Sequence, residues 1–344
     1  MSHESTSGRL SSSLPFTTAA FPRPTRIALV NIMDNAKGTE DHFLSLIRNA
    51  DPNAEVTLCR MACAKADKDL EQPKYFRDPA HPLHLLSDDY VDWHDVIGKE
   101  EFDLVIVTGI NRGKLTYQEL EEEYPLFWNE TQELLEAIET TTNSGQTGHG
   151  LLVCWTAMAA AKIRSGVEKQ IYDTKFYGVF DHHVTSTTHP LVRGWSDGSV
   201  KIPHARYSYL DQNELENAIE ADGGEIILNG PDGPAIWTLN SRAITCLINH
   251  PEYGQSTLEN EYIRDRGFFR KETQNDQADI PRPQNYELGS TGTAQDFATL
   301  KSVICPAFYK NVIDLAKNRK NSEQAPLEYT AEVAMPVRVH QFPA

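Results

Sequence analysis

The sequence predicts an α/β fold built on a doubly wound, mostly parallel sheet. Three observations carry that expectation. Continuous apolar, β-branched runs of strand length stand at 26–33 (RIALVNIM), 102–108 (FDLVIVT) and 243–248 (AITCLI), the pattern of strands covered on both faces. Segments of helical periodicity separate the strands of the first half, as alternating βα order requires. Three of the strand ends are Met33, Gly109 and Cys154, and in open α/β sheets ligands bind beyond such C-terminal ends.

Each element follows from its residues. Residues 1–24 are rich in Ser and Thr and lack a long apolar core, so they are expected to be a disordered lead-in with no secretory signal. Residues 25–318 are expected to form a single domain, and 319–344 a C-terminal tail. The first strand, 26–33, leads to a helix at 39–49, capped by Thr39 and apolar along Phe43, Leu44 and Ile47. EVTLC at 55–59 is a second strand. Residues 61–86 are polar and Pro-containing and are expected as a surface excursion. The strand at 102–108 ends in Gly109 and precedes an acidic helix at 119–141, with Phe127, Leu134, Leu135 and Ile138 facing inward.

A short strand at 151–153 then runs into Cys154 and directly into an Ala-rich helix to about Ser165. Beyond it a smaller, irregular C-terminal part is expected. It holds a strand or hairpin arm at 176–184, an extended stretch at 201–209, and strands at 225–228 and 235–239. These last two flank the turn signal Asn229-Gly230-Pro231-Asp232-Gly233. The strand at 243–248 is followed by a helix at 256–265, a loop at 267–293 and a final amphipathic helix at 307–318.

Composition narrows the function classes. The chain has 344 residues, 40% of them apolar, with a formal net charge of −17. That charge argues against nucleic acid or an anionic membrane as partner, and no apolar run is long enough to span a bilayer. The five cysteines, Cys59, Cys63, Cys154, Cys246 and Cys305, are odd in number and scattered, which fits a reducing, cytoplasmic compartment. No His, Cys or carboxylate cluster has metal-site spacing, so no metal and no bound cofactor is expected.

A Cys between a strand and a helix is exposed at the sheet edge and sits where the helix dipole favours a thiolate. Taken alone, a buried structural Cys is an equal reading. A nucleophilic Cys needs a base and an orienting group. His250 and Glu252 follow the strand at 243–248 across a Pro, so they reach the same edge as Cys154. Among twelve histidines, His182 and His183 are the main competitors.

The residues Asn31-Ile32-Met33, Thr39-Glu40, Phe43-Leu44, Val107-Thr108-Gly109, Cys154-Trp155, Gly178-Val179-Phe180-Asp181-His182, Arg193-Gly194, Pro203-His204, Arg206-Tyr207, His250-Pro251-Glu252-Tyr253, Thr257-Leu258, Glu261-Tyr262 and Arg264-Asp265 stand in an order and spacing that resembles the homoserine O-acyltransferases. This is the succinyl- and acetyltransferase family, similar in fold to class I glutamine amidotransferases and flavodoxin-like proteins. The resemblance runs from about Arg26 to Arg264. It implies a ping-pong reaction in which Cys154 takes the acyl group from acyl-CoA, His250 is the base and Glu252 orients it. It also implies an oxyanion hole from the backbone N–H groups of Ile110 and Trp155, and contacts of Lys175, Ala205 and Arg264 with the amino-acid substrate.

Acyl-CoA is then a co-substrate, the other partner a small hydroxy amino acid, and the expected assembly a homodimer. Gly113 occupies the position that separates donors, with glycine resembling the succinyl type and leaving room for a longer anionic acyl group. The sequence departs from the family's pattern at Ala36, Ala205, Thr156 and Met158. Ala205 replaces a Ser that contacts the acceptor, which keeps L-serine or a related acceptor open beside L-homoserine. A glutamine amidotransferase-like hydrolase and a non-catalytic binding protein are the alternatives on the same fold.

Overall fold

A computed structural model of the chain describes residues 23–33, 35–66, 82–195, 198–254, 256–286 and 304–324. The strands are β1 (Arg26–Val30), β2 (Glu55–Arg60), β3 (Tyr90–Asp92), β4 (Phe102–Val107), β5 (Thr147–Val153), β6 (Lys169–Val184), β7 (Ser199–Leu210), β8 (Ile226–Gly230), β9 (Gly233–Leu239) and β10 (Ile244–Leu247). They form one sheet in the order β3-β2-β1-β4-β5-β10-β9-β8-β6-β7. From β3 to β10 every pairing is parallel, and from β10 to β7 every pairing is antiparallel.

The helices are α1 (Ala36–Ala50), α2 (Cys63–Ala66), α3 (Pro82–Leu85), α4 (Tyr117–Glu123), α5 (Pro125–Asn143), α6 (Trp155–Ser165), α7 (Gln212–Ala221), α8 (Thr257–Thr273) and α9 (Cys305–Gln324). Alternate strand residues feed two cores, as the period of two demands. Ala28, Val30, Val105, Val107 and Leu152 pack with Phe127, Leu134 and Ile138 of α5 and Trp155 of α6. Ile27, Leu29, Leu104, Ile106 and Leu151 pack on the other face with Phe43 and Ile47 of α1 and Phe308 and Val312 of α9. The sheet is therefore covered on both sides where its strands are parallel.

Several expectations are corrected. The acidic helix expected at 119–141 is two helices, because Pro125 holds Tyr124 at φ −130°, ψ 48° and so ends α4. The cap of α1 is Asn35, whose side chain accepts from the Gly38 N–H, so the helix starts before Thr39. Helix α7 was not expected, although Asp211 caps it by accepting from the Glu214 N–H. The C-terminal part is not irregular: β6 to β10 belong to the main sheet, and β10 completes its parallel half.

Helix α8 continues through Gly267 into the region expected as a loop. Helix α9 continues past 318 because the Lys320 side chain is buried and its ammonium meets the Gln146 carbonyl at 3.2 Å and Glu101 at 2.9 Å. At the other end Arg23, assigned to the lead-in, forms two hydrogen bonds to buried Asp103. Residues 1–22 of the expected lead-in, 67–81 of the expected excursion, 287–293 of the expected loop and the tail beyond 324 lie outside the described residues. Among the described residues no helix is long and apolar enough to cross a membrane.

Helix α9 docks on β5 at Gly148, where a Cβ would overlap the Ala316 carbonyl oxygen and lie 2.8 Å from the Asp103 oxygen. Gly148→Ala is expected to push α9 off the sheet at a cost of about 1–3 kcal/mol, the range for overpacking. Urea unfolding checks it: the midpoint falls while the slope is unchanged.

Candidate active site

The strand–Cys–helix passage folds as a sharp elbow. Val153 is the last residue of β5, Trp155 the first of α6, and Cys154 between them has φ 55° and ψ −114°. Positive φ strains a residue that carries a Cβ, by about 1–3 kcal/mol. Two contacts hold it there: the Cys154 N–H donates to the Leu247 carbonyl of β10 at 2.6 Å, and its carbonyl accepts from the Met158 N–H at 3.3 Å. The end of β4 presses against it. A Cβ on Gly109 would lie 3.0 Å from the Cys154 Cβ and 3.7 Å from Sγ, so glycine leaves this approach open. The thiol is half-buried.

His250 arrives from β10. Its N–H donates to the Pro203 carbonyl at 2.9 Å, and its ring stacks on Tyr253, with centroids 4.2 Å apart. His250 Nδ1 hydrogen-bonds Glu252 Oε1 at 2.6 Å, so the turn across Pro251 brings the two side chains together. The Nδ1–H donates to the carboxylate, which leaves the buried Nε2 for the Cys154 side chain, the other group that acts on the ring. Burial opposes protonation of this ring, but the Glu252 carboxylate and then the Cys154 sulfur outweigh it. The His250 pKa is therefore raised well above its ordinary value. The three groups act on one another electrostatically, in an arrangement able to form an imidazolium opposite a thiolate.

The residues of the expected oxyanion hole adjoin the elbow in the chain, Trp155 following Cys154 and Ile110 following Gly109. Trp155 opens α6, so its N–H has no intrahelical partner, and the Ile110 N–H donates to no described residue. A small cavity bounded by Met33, His42, Gly109, His250 and Tyr253 lies beside the base.

The expected substrate contacts lie along β7 and α8. Ala205 is half-buried on β7. Lys175, 11% exposed, binds Glu261 at 2.6 Å and Asp265 at 2.7 Å. Arg264 reaches Asp265 at 2.8 Å and Glu261 at 3.6 Å, with 37% of its side chain exposed. Two cations thus face two carboxylates. Burial works against the charge on Lys175, but Glu261 and then Asp265 raise its pKa overall. Burial works against Glu261 as well, and Lys175 followed by Arg264 pulls it down to about 2. Lys175 is therefore not an open cation, and Arg264 is the more accessible of the pair. Tyr253 ties this cluster to the base: its hydroxyl donates to Glu261 while its ring stacks on His250.

Gly113 lies in the loop after β4, where a Cβ would be 3.3 Å from Ser208 Oγ and 3.5 Å from the Tyr207 Cβ. The competing histidines do not join the His250–Glu252 pair. His183 is exposed. His182 Nε2 meets His204 Nε2 at 2.7 Å, and burial first of all lowers its pKa to about 4. No group of three or more His, Cys, Asp or Glu among the described residues is placed to hold a metal ion. Reasoning from sequence noted Glu261 and Asp265 but gave them no role, although their spacing of four on one helix was an available signal. It also missed Tyr253 as the link to the base.

Fold and site together define an α/β protein with a Cys–His–Glu cluster at the C-terminal edge of its parallel strands. The chain belongs to the homoserine O-succinyltransferase family, whose model matches residues 18–325. It is 29% identical over 248 residues to the homoserine O-succinyltransferase of Pelagibacterium halotolerans, covering 71% of this chain and 70% of that one. To the homoserine O-succinyltransferase of Alteromonas mediterranea it is 30% identical over 244 residues, with the same coverage. Among solved structures, a glutamine amidotransferase from Thermotoga maritima aligns with a TM-score of 0.49 at 13% identity, covering 86% of this chain and 99% of that one.

Removing the charge of Glu252 takes away the larger of the two contacts that raise the His250 pKa, so His250 in Glu252→Gln holds its proton less firmly. The expected outcome is a slower alkylation of Cys154 by iodoacetamide at about pH 6, by about tenfold for each unit by which the His250 pKa falls. Rates measured across the pH range, with the modified peptide identified by mass spectrometry, check it. A profile that overlies the unmodified protein's contradicts it.

Proposed function

We propose that the chain is a CoA-dependent O-acyltransferase that moves a succinyl group through a Cys154 thioester onto the side-chain hydroxyl of L-homoserine. The observation that carries this reading is the strained Cys154 elbow facing the His250–Glu252 pair, in a member of the homoserine O-succinyltransferase family.

In the first half-reaction His250 Nε2 takes the thiol proton, and the thiolate attacks the thioester carbonyl of succinyl-CoA. The developing oxyanion accepts from the backbone N–H groups of Trp155 and Ile110, donors worth about 100- to 1,000-fold each in acyl transfer. CoA leaves with the proton from His250, and succinyl remains on Cys154. In the second half-reaction His250 accepts the proton of the acceptor hydroxyl. The hydroxyl oxygen attacks the Cys154 thioester, and the thiolate departs as the leaving group. Glu252 holds the imidazole in the tautomer that keeps Nε2 free and balances its positive charge.

Arg264 is the group suited to the acceptor's carboxylate, being planar, cationic and accessible. Lys175 acts one step back, by holding Glu261 and Asp265 and thereby Arg264. Family membership favours homoserine as acceptor, and Ala205, which offers a methyl where a hydroxyl would give a hydrogen bond, makes L-serine the acceptor to test beside it. A cytoplasmic homodimer that takes acyl-CoA as co-substrate and holds no cofactor completes the proposal.

Intact-protein mass spectrometry after mixing with succinyl-CoA, with no acceptor present, is expected to give a mass gain of one succinyl group. The gain disappears in Cys154→Ala and is discharged by homoserine. No gain with succinyl-CoA or acetyl-CoA overturns the proposal. Gly113→Glu places a carboxylate beside the path of an anionic acyl group. It is expected to lower loading from succinyl-CoA at least about tenfold while loading from acetyl-CoA persists, since a like-charge contact costs more than ~1.4 kcal/mol in a partly dry site.

A further inference from the structure

Lys169, the first residue of β6, is 6% exposed, and no carboxylate among the described residues pairs with it. Its ammonium instead donates to the carbonyls of Arg112 at 3.1 Å, Gly113 at 3.3 Å and Leu115. A lysine ammonium has three donors and no acceptor, so all three are spent on one loop. That loop joins β4 to α4. Its own N–H groups reach only one of these carbonyls, Leu115 N–H donating to Arg112, while the Gly113 and Leu115 carbonyls accept from Lys169. The strand that pairs with Lys169, through Leu210 on β7, also supplies Tyr207 and Ser208 against Gly113. The loop is thus gripped from both strands of the β6–β7 ribbon.

We propose that Lys169 is a positioning residue for the acyl-donor half-reaction, its buried ammonium fixing the loop that carries the Ile110 N–H and Gly113. This deepens the acyltransferase reading and rests on it. A neutral donor could satisfy one or two of the carbonyls, whereas an ammonium satisfies three. It also adds a positive charge within electrostatic reach of Cys154.

The clamp depends on pH. Burial pushes the Lys169 pKa down to about 8, against the opposing pull of Glu119 on α4, of Cys154 and of Glu168 beside it. The Tyr117 ring of α4 lies 5.2 Å from the ammonium. Above that pH the amine keeps two donors and turns a lone pair toward a carbonyl, so the loop loosens.

The test is the single-turnover loading of Cys154 from succinyl-CoA and acetyl-CoA in the unmodified chain and in Lys169→Met, which keeps the stem and removes the donors. The expected result is a roughly 100-fold slower loading from succinyl-CoA, the size of effect that a displacement of about 1 Å produces. The loss is smaller with acetyl-CoA, so donor preference narrows. A Lys169→Met variant that loses thermal stability but keeps the donor ratio and the rates overturns the proposal.

If the variant does not fold, the unmodified chain still decides. Its succinyl-to-acetyl loading ratio falls as pH rises through about 8, and a ratio that stays constant there overturns the proposal. An unmodified chain that neither donor loads overturns the acyltransferase reading itself, a result distinct from loading that is indifferent to Lys169.

Discussion

The site depends on one backbone constraint, the positive φ of Cys154. A β-carbon in that conformation is tolerated only where the surroundings leave no alternative. Here the Leu247 carbonyl holds the Cys154 N–H from one side, and Gly109 lets the end of β4 close in from the other. The first depends on the insertion of β10 beside β5, the second on the pairing of β4 with the other edge of β5. The strand that pins the elbow is also the strand that delivers His250, so one pairing sets the relation between thiol and imidazole. A slip of that register would move the base and release the strain together.

The second requirement is charge. The chain is strongly acidic, with a formal net charge of −17, yet its reading as an acyltransferase needs positive potential for an anionic donor and an amino-acid carboxylate. The candidate cations are few and each is held in place. Lys175 and Arg264 are held by Glu261 and Asp265, and Lys169 is held by carbonyls alone. Buried pairs of this kind contribute little net stability, since desolvation offsets attraction. They do fix where charge sits. Tyr253 joins the paired cluster to the stacked imidazole of His250, so one residue ties the ion-pair cluster to the base.

Much of this was legible in the residues. Cys154 was identifiable because an apolar strand runs without a break into an Ala-rich helix, a pattern in which local propensity and burial agree. His250 and Glu252 were identifiable because they follow the apolar run at 243–248, whose end had to reach the same sheet edge. The break at Tyr124–Pro125 and the cap at Asp211 were equally visible, but they were overridden by a helical pattern in one case and a polar one in the other. Glu261 and Asp265 were visible as a pair on one helix, but their pairing with Lys175 was not. Glu261 and Asp265 lie 86 and 90 residues further along the chain, and nothing local to Lys175 distinguishes a buried ion pair from a solvated surface charge.

The sequence by itself determined the alternation of strands and helices, the elbow at Cys154, and the side of the sheet where chemistry gathers. These follow from periodicity and propensity, which act over a few residues. Only the tertiary structure decided that β10 crosses back to pair with β5, that β6 and β7 extend the sheet as one long ribbon, and that Lys169 closes on the loop after β4. Those outcomes rest on contacts between segments far apart in the chain. Their energies come from burial and hydrogen-bond completion in three dimensions, which no local pattern encodes.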